Sequence, residues 1–330
     1  MQNTEQPYLF TEFQQAYPIV RQREAELSIR RLILHFLLLI ATGISTTITG
    51  AAFSVPAQEE SSIIGIFTAP ILAVIRETAA GNLDPLLKGL LFTFTLLTIL
   101  GAHELGHYFA CRHYKIRATL PFFIPAPPAI TLFGTFGAVI KIKEPIRSRR
   151  ALFDIGIAGP LAGFAFALPA AIVGLILATP AAPSAINSDM QFNDPLLFIV
   201  FTKLLGLPKF IEWNPVYWAA WGTMLVTALN LFPVGQLDGG HVVYAIAGQR
   251  IHKWISRVVA IGCAGLATLA IILKQPPVYL LWTLVLLFLL KVGHPPVVEE
   301  EPLGTARTVL AIIALLVFLL CFMPFPISTT

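Results

Sequence analysis

Seven stretches of this chain, 32–55, 85–111, 151–179, 215–232, 254–273, 277–291 and 305–323, are apolar for long enough to cross a bilayer, the sixth only barely. A spanning helix needs about 20 mostly apolar residues. In hydrocarbon every backbone amide and carbonyl must be satisfied within the protein, so such stretches are helices. Irregular backbone survives there only when protein or a water-filled cavity surrounds it. Composition agrees: 56% of the 330 residues are hydrophobic and 12% charged, against about 25% charged in a soluble domain. The expected fold class is an all-α polytopic membrane protein of about 6–8 transmembrane helices. Two shorter apolar stretches, 63–74 and 196–205, read as re-entrant or interfacial helices.

The net charge of +4 does not point to nucleic acid, because the basic residues fall in the connections between apolar runs. Cytoplasmic loops carry the excess of Lys and Arg. Segments 1–31, 112–150, 249–257 and 291–307 hold 4, 8, 3 and 2 basic residues, 17 of the 22, and alternate crossings place them on one side. Arg76, Lys88, Lys203, Lys209 and Lys274 remain for the other. This predicts a cytoplasmic N-terminus; the expected location is a bacterial inner membrane. The tail 1–31 lacks the apolar core and small-residue cleavage site of a signal peptide. Cys111, Cys263 and Cys321 sit within or at the edge of apolar runs with no paired spacing, and read as small buried hydrophobes.

The connection after the second long span is the one sizeable non-helical piece. Residues 120–128 are dense in proline, and 133–143 alternate apolar with other residues in the manner of a strand. A small β-hairpin at the cytoplasmic membrane face is expected. It either plugs the loop or offers a strand edge to an extended substrate segment. In the second case Phe133, Gly134, Thr135, Phe136 and Gly137 are the candidate substrate-binding residues.

Inside the span 85–111 lies His103-Glu104-Leu105-Gly106-His107. Helical spacing puts His103 and His107 on one face within reach of one ion, and neutral imidazole is a good zinc ligand. Glu104, turned by about 100 degrees along the helix, can take the proton of a water that a Lewis-acid ion has acidified. Gly106 leaves room for another backbone or for substrate. Ionisable groups inside a membrane are costly, which favours function over a merely structural polar cluster.

A third ligand is needed. The acidic residue best placed within the remaining apolar runs is Asp238, in Asn230-Leu-Phe-Pro-Val-Gly-Gln-Leu-Asp-Gly-Gly240, where proline and glycines break the helix. Its structural alternative is an N-cap of the following helix. Asn230 is a candidate for binding substrate backbone or the developing oxyanion. His241 reads as a neighbour of the site or as interfacial. His35, His113, His252 and His294 have no partner at metal-binding spacing. Asp154 reads as a favourable charge at a helix start. Gly156, Gly159 and Gly163 form the small-residue spacing that lets helices approach closely.

Taken together, these motifs resemble the site-2 protease family of intramembrane metalloproteases (peptidase family M50), of the type without PDZ or CBS domains. The resemblance rests on His103–His107, on Asn230–Gly240 and on Ile157-Ala-Gly-Pro160, and covers 85–250 closely. It divides the chain into a tail 1–31, a first helix with a re-entrant segment 32–84, a catalytic core 85–250 and C-terminal helices 251–330. It implies one zinc ion per chain held by His103, His107 and Asp238, with Glu104 as catalytic base and Asn230 beside the scissile peptide. The implied partners are transmembrane protein substrates and the lipid bilayer; oligomeric state is left open. A divalent-metal transporter would need several donor clusters along a path, and the sequence has one. An inactive scaffold would have no need of the complete set of four.

Overall fold

The computed structural model describes residues 28–55, 63–128, 130–181, 190–208, 211–298 and 301–329. Most of the N-terminal tail, together with Glu299 and Glu300 of an acidic patch, lies outside the described residues. The described helices are α1 (Ile29–Ala52), α2 (Ile63–Ala79), α3 (Asp84–His113), α4 (Arg149–Ile176), α5 (Leu196–Leu204), α6 (Pro215–Asn230), α7 (Asp238–Ile272), α8 (Val278–Val292) and α9 (Thr305–Cys321). Short strands β1 (Phe122–Pro125), β2 (Thr135–Val139), β3 (Thr179–Pro180), β4 (Met190–Phe192), β5 (Ile211–Glu212) and β6 (Ile327–Thr329) pair two by two. Helices α1, α3, α4 and α7 are long and apolar enough to cross a membrane; α8 and α9 are shorter apolar helices.

The amphipathicity is inverted relative to a water-soluble bundle. Helix α1 turns Ile33, Phe36, Leu37, Ile40 and Ile44 outward and buries Thr42, Thr46, Thr47 and Thr49. Thr42 and Thr46 donate to the carbonyls four residues back, both at 2.8 Å, and Thr46 and Thr47 each meet Thr93 of α3 at 2.9 Å. Hydroxyls that hydrogen-bond between helices are a device of membrane packing, where apolar surface has no reason to leave the lipid.

Helix α7 is two helices joined at Gly248, whose φ of 78° and ψ of 173° are non-helical. In an unbroken helix Ser256 would stand about 27 Å beyond Asp238. Instead Ser256 Oγ donates to Pro233 O at 2.9 Å, in the loop before the helix begins. The second half of α7 therefore runs back alongside its first half. Helix α6, the loop 231–237 and the first half of α7 form one crossing interrupted in the middle, and 249–272 form the next.

Contacts among the connections sort them into two ends. At one end Arg149 donates to the carbonyls of Ala245 and Ile246, Arg150 pairs with Glu301 at 3.0 Å, and the Val298 amide reaches Arg147 O at 3.2 Å. At the other, β4 pairs with β6, β3 with β5, and the Thr329 amide donates to Gln275 at 2.6 Å. These are the two groupings that alternate crossings require.

The hairpin forms as its alternation predicts: β1 and β2 pair antiparallel, with Phe122 opposite Val139 and Pro125 opposite Thr135. It docks against α1. His35 Nδ1 donates to Pro121 O at 3.1 Å, Ser45 donates to Ala126 O, and Gly134 abuts Ser45 and Thr49. From residue 35 to residue 49 is about 21 Å of helix, so the hairpin lies along much of α1. Its ladder and the polar groups of α1 satisfy backbone that would otherwise be too costly to bring there. His35, which has no partner at metal-binding spacing, thus serves this docking.

Asp154 does not serve the start of α4. Ser148 is the N-cap, accepting from the Ala151 amide at 3.4 Å. Asp154 lies a turn and a half further on and receives Arg307 of α9 at 2.6 and 2.8 Å, with Tyr114 as a further donor. Burial, and then the Asp154 carboxylate, raise the Tyr114 phenol above its usual pKa and keep it a donor. A tertiary ion pair has taken the charge that helix-end electrostatics would have used.

Candidate metal centre

Helix α3 presents His103 and His107 on one buried face, and their Nε2 atoms are 3.1 Å apart. Asp238, the first residue of α7, points its two carboxylate oxygens at them, each 3.3 Å from one Nε2. The preceding residue, Leu237, occupies the N-cap position, and Asp238 makes no capping bond to its own helix. Its carboxylate is spent on the histidines of another helix.

The geometry depends on glycine at three contacts. A Cβ on Gly159 of α4 would overlap the His107 imidazole, and one on Gly163 would lie 3.1 Å from His103 Cβ. On the other side, a side chain at Gly239 would collide with the carbonyl of Leu231. The spacing of Gly156, Gly159 and Gly163 brings α4 against the ligands themselves. Gly106 admits the backbone of α4 at Ala158.

His107 Nδ1 donates to Ile155 O at 2.7 Å. That bond sets the tautomer, leaving the Nε2 lone pair to face His103 and Asp238. Two imidazole nitrogens and a carboxylate converging in a buried space form a donor set with room for a cation among them. Among the described residues these three form the group whose donor atoms lie within 4.8 Å of one another. Two imidazoles and a carboxylate are an established donor set for catalytic zinc, which keeps its remaining position open. The residues present fit such an ion.

Glu104 is 8% exposed, and its carboxylate is met by the Ile140 backbone amide just past β2. The end of the hairpin therefore touches the acid beside the ligands, a contact that no sequence spacing announces. Asn230, at the end of α6, brings Nδ2 to 3.4 Å from His103 Nε2. The five hairpin candidates divide. Phe133 packs on Gly222 and lies 5.6 Å from the Trp218 ring, and Gly134 docks on α1. Thr135 braces the turn by donating to Ile124 O at 2.7 Å. Phe136 is 61% exposed, and Gly137, with φ of 98°, has open space where a side chain would be.

The fold and site define a helical membrane protein with a buried His-His-Asp donor set beside a glutamate. A profile of peptidase family M50 matches residues 91–273, more than half of the chain, and the chain belongs to that family. It is 29% identical over 276 residues to the probable zinc metalloprotease EGY2, chloroplastic, of Oryza sativa subsp. indica, covering 80% of this chain and 49% of that one. To the probable zinc metalloprotease EGY1, chloroplastic, of Arabidopsis thaliana it is 32% identical over 242 residues, 70% of this chain and 42% of that one. The chain thus spans about half the length of the relatives it matches.

Proposed function

We propose that the chain is an intramembrane zinc metalloprotease that hydrolyses peptide bonds within or near transmembrane segments of other membrane proteins. The observation that carries this is the convergence of His103, His107 and Asp238 between apolar crossings, with Glu104 at the end of the hairpin. His103, His107 and Asp238 would hold the zinc ion. When bound, it supplies Lewis acidity toward a water molecule and the scissile carbonyl.

The remaining steps belong to the chain. A substrate helix hides its carbonyls in its own hydrogen bonds, so it must unwind before attack. The free edge of β2, around Phe136 and Gly137, offers the unwound segment a strand to pair with, while Phe133, Gly134 and Thr135 hold that edge in place. Glu104 takes the proton from the attacking water and returns it to the leaving amine nitrogen. The Asn230 amide donates to the carbonyl oxygen as negative charge builds there. Water and protons reach Glu104 from the basic end, because His103 is 10 residues, about 15 Å, from the end of α3 at that side.

The Lys and Arg asymmetry supports a cytoplasmic N-terminus, with release of the soluble product on that side; a bacterial inner membrane is the location we propose. The test is Glu104→Gln in the full chain reconstituted with a model transmembrane substrate. Cleavage is expected to fall about 10²–10⁴-fold, the usual worth of a general base, with zinc content unchanged. Undiminished turnover in that variant would sink the mechanism.

A further inference from the structure

The fold treats two faces of the first half of α7 differently. The face that carries Asp238 also carries His241, packed against Gly156 of α4. His241 Nδ1 donates to His294 Nε2 at 2.8 Å, and His252, after the break at Gly248, sets its ring centroid 5.5 Å from that of His294. That face is covered by protein. A second face, formed by Gly239, Val242, Val243 and Ile246, borders a cavity of about 650 Å³ that α9 and the loop at Leu231 and Pro233 complete. Leu231, Val242 and Ala314 form its buried floor, and Ile246, Ile312 and Leu315 an exposed apolar rim. The cavity therefore opens sideways, to the hydrocarbon of the bilayer.

Its depth and its one charge define what fits. Thr308 and Phe318, both in the lining, are 10 residues apart on α9, about 15 Å of helix. That is half of the roughly 30 Å hydrocarbon core, or one leaflet. The lining at the basic end includes Arg149. Its guanidinium donates to the carbonyls of Ala245 and Ile246, where the first half of α7 ends, and meets no carboxylate among the described residues. Its neighbours differ: Arg150 has Glu301 at 3.0 Å, and Arg307 has Asp154 at 2.6 Å. Two carbonyls engage only part of the guanidinium fork. The remaining donors and the whole charge are left for an anion, and phosphate matches that fork in geometry.

We propose that this cavity binds one anionic phospholipid of the cytoplasmic leaflet, with its phosphate on Arg149 and an acyl chain between α7 and α9. Basic pockets between crossings on the cytoplasmic side take anionic headgroups, and built ligand sites measure about 300–1,000 Å³. A substrate helix about 10 Å across would need about 1,200 Å³ over the same 15 Å, so the cavity is too small for one. Neither Glu104 nor the edge of β2 lines it. Leu231, Pro233 and Gly239 do, which sets the lipid against the break from which the chain restarts at Asp238. The acyl chain fills the space behind that break and steadies the interrupted crossing.

The full chain, purified in neutral detergent, is titrated with phosphatidylglycerol, with phosphatidylcholine of the same acyl chains, and with oleate. Retained lipid is counted by native mass spectrometry, and the melting temperature is read alongside. One phosphatidylglycerol per chain is expected, preferred over phosphatidylcholine about fivefold or more and raising the melting temperature. Arg149→Gln keeps a donor for the two carbonyls but no charge, and should bring the preference to parity. Arg149→Lys should keep most of it. Ala311→Leu fills the cavity with the arginine intact and should lose the bound lipid. Lys253→Gln removes an exposed charge at the same end but outside the lining, and should change nothing. The proposal fails if phosphatidylcholine or oleate is held as tightly as phosphatidylglycerol, if Arg149→Gln keeps the preference, or if Ala311→Leu keeps the lipid. It fails if Lys253→Gln loses the preference as Arg149→Gln does, which would leave only a basic membrane surface. It fails as well if a transmembrane substrate peptide displaces the lipid and Ala311→Leu abolishes its cleavage, since the cavity would then belong to substrate.

Discussion

Helices α3 and α7 deliver metal donors to the same point by opposite means. On α3 the two histidines follow from the pitch of one regular helix, and the rest of the fold has only to leave space for them. On α7 the single carboxylate reaches the site because the chain breaks at 231–237, restarts at Asp238 and folds back at Gly248. Ser256 ties the returning half to Pro233 at 2.9 Å. The first arrangement is local and survives changes elsewhere. The second is a tertiary construction, and changes far from the ligands will disturb it.

Removing one donor from each side sets the upper limit of effect. His103→Ala and Asp238→Ala should each weaken zinc binding by more than the roughly 100-fold that losing a ligand's hydrogen-bond partner costs. Metal analysis after dialysis against a chelator of graded strength reads this. Equal retention in Asp238→Ala and wild type would remove α7 from the comparison altogether. A smaller effect, about 10²-fold in kcat with zinc unchanged, is expected for Asn230→Ala, as for loss of one oxyanion donor.

The glycines separate the two helices more finely. Gly159→Ala drives a methyl into the His107 ring, so zinc affinity should fall about 10–100-fold while the bundle stays folded. Gly239→Ala drives one into the Leu231 carbonyl, and overpacking of this kind costs about 1–3 kcal/mol. It should lower the melting temperature before it alters zinc affinity. The reverse pattern, with Gly159→Ala unfolding and Gly239→Ala shedding metal from a stable fold, would show that α3 is the fragile side. The smallest effect is expected for Ser256→Ala, about 1 kcal/mol of stability from one lost hydrogen bond, with metal content intact. Thermal unfolding in detergent would detect it.

What could be read in advance follows the same division. His103, Glu104 and His107 were legible because five residues on one helix contain the whole relation. The hairpin was legible because alternation is a local property, but its docking along α1 was not. That depends on His35, Ser45 and Thr49 meeting Pro121, Ala126 and Gly134, residues about 80 positions away or more. Asp154 was misread because helix-end electrostatics is a local argument, and Arg307, 153 positions later, outcompetes it. The glycine run on α4 announced close packing without naming its neighbour. His241, His252 and His294 showed no spacing at all, since their meeting depends on one positive φ at Gly248.

The amino-acid sequence alone determined that this protein lives in a bilayer, where its break in a span falls, and that two histidines share one helix face with a glutamate beside them. Each of these follows from rules of short range: hydrophobic length, proline and glycine geometry, and helical pitch. Tertiary structure decided that Asp238 faces the histidines of α3 instead of capping its own helix, which backbone amide meets Glu104, and that a second group of histidines stands beside the first. Those outcomes require segments distant along the chain to be packed side by side. Only the summed packing of α1, α3, α4 and α7 fixes which of them touch.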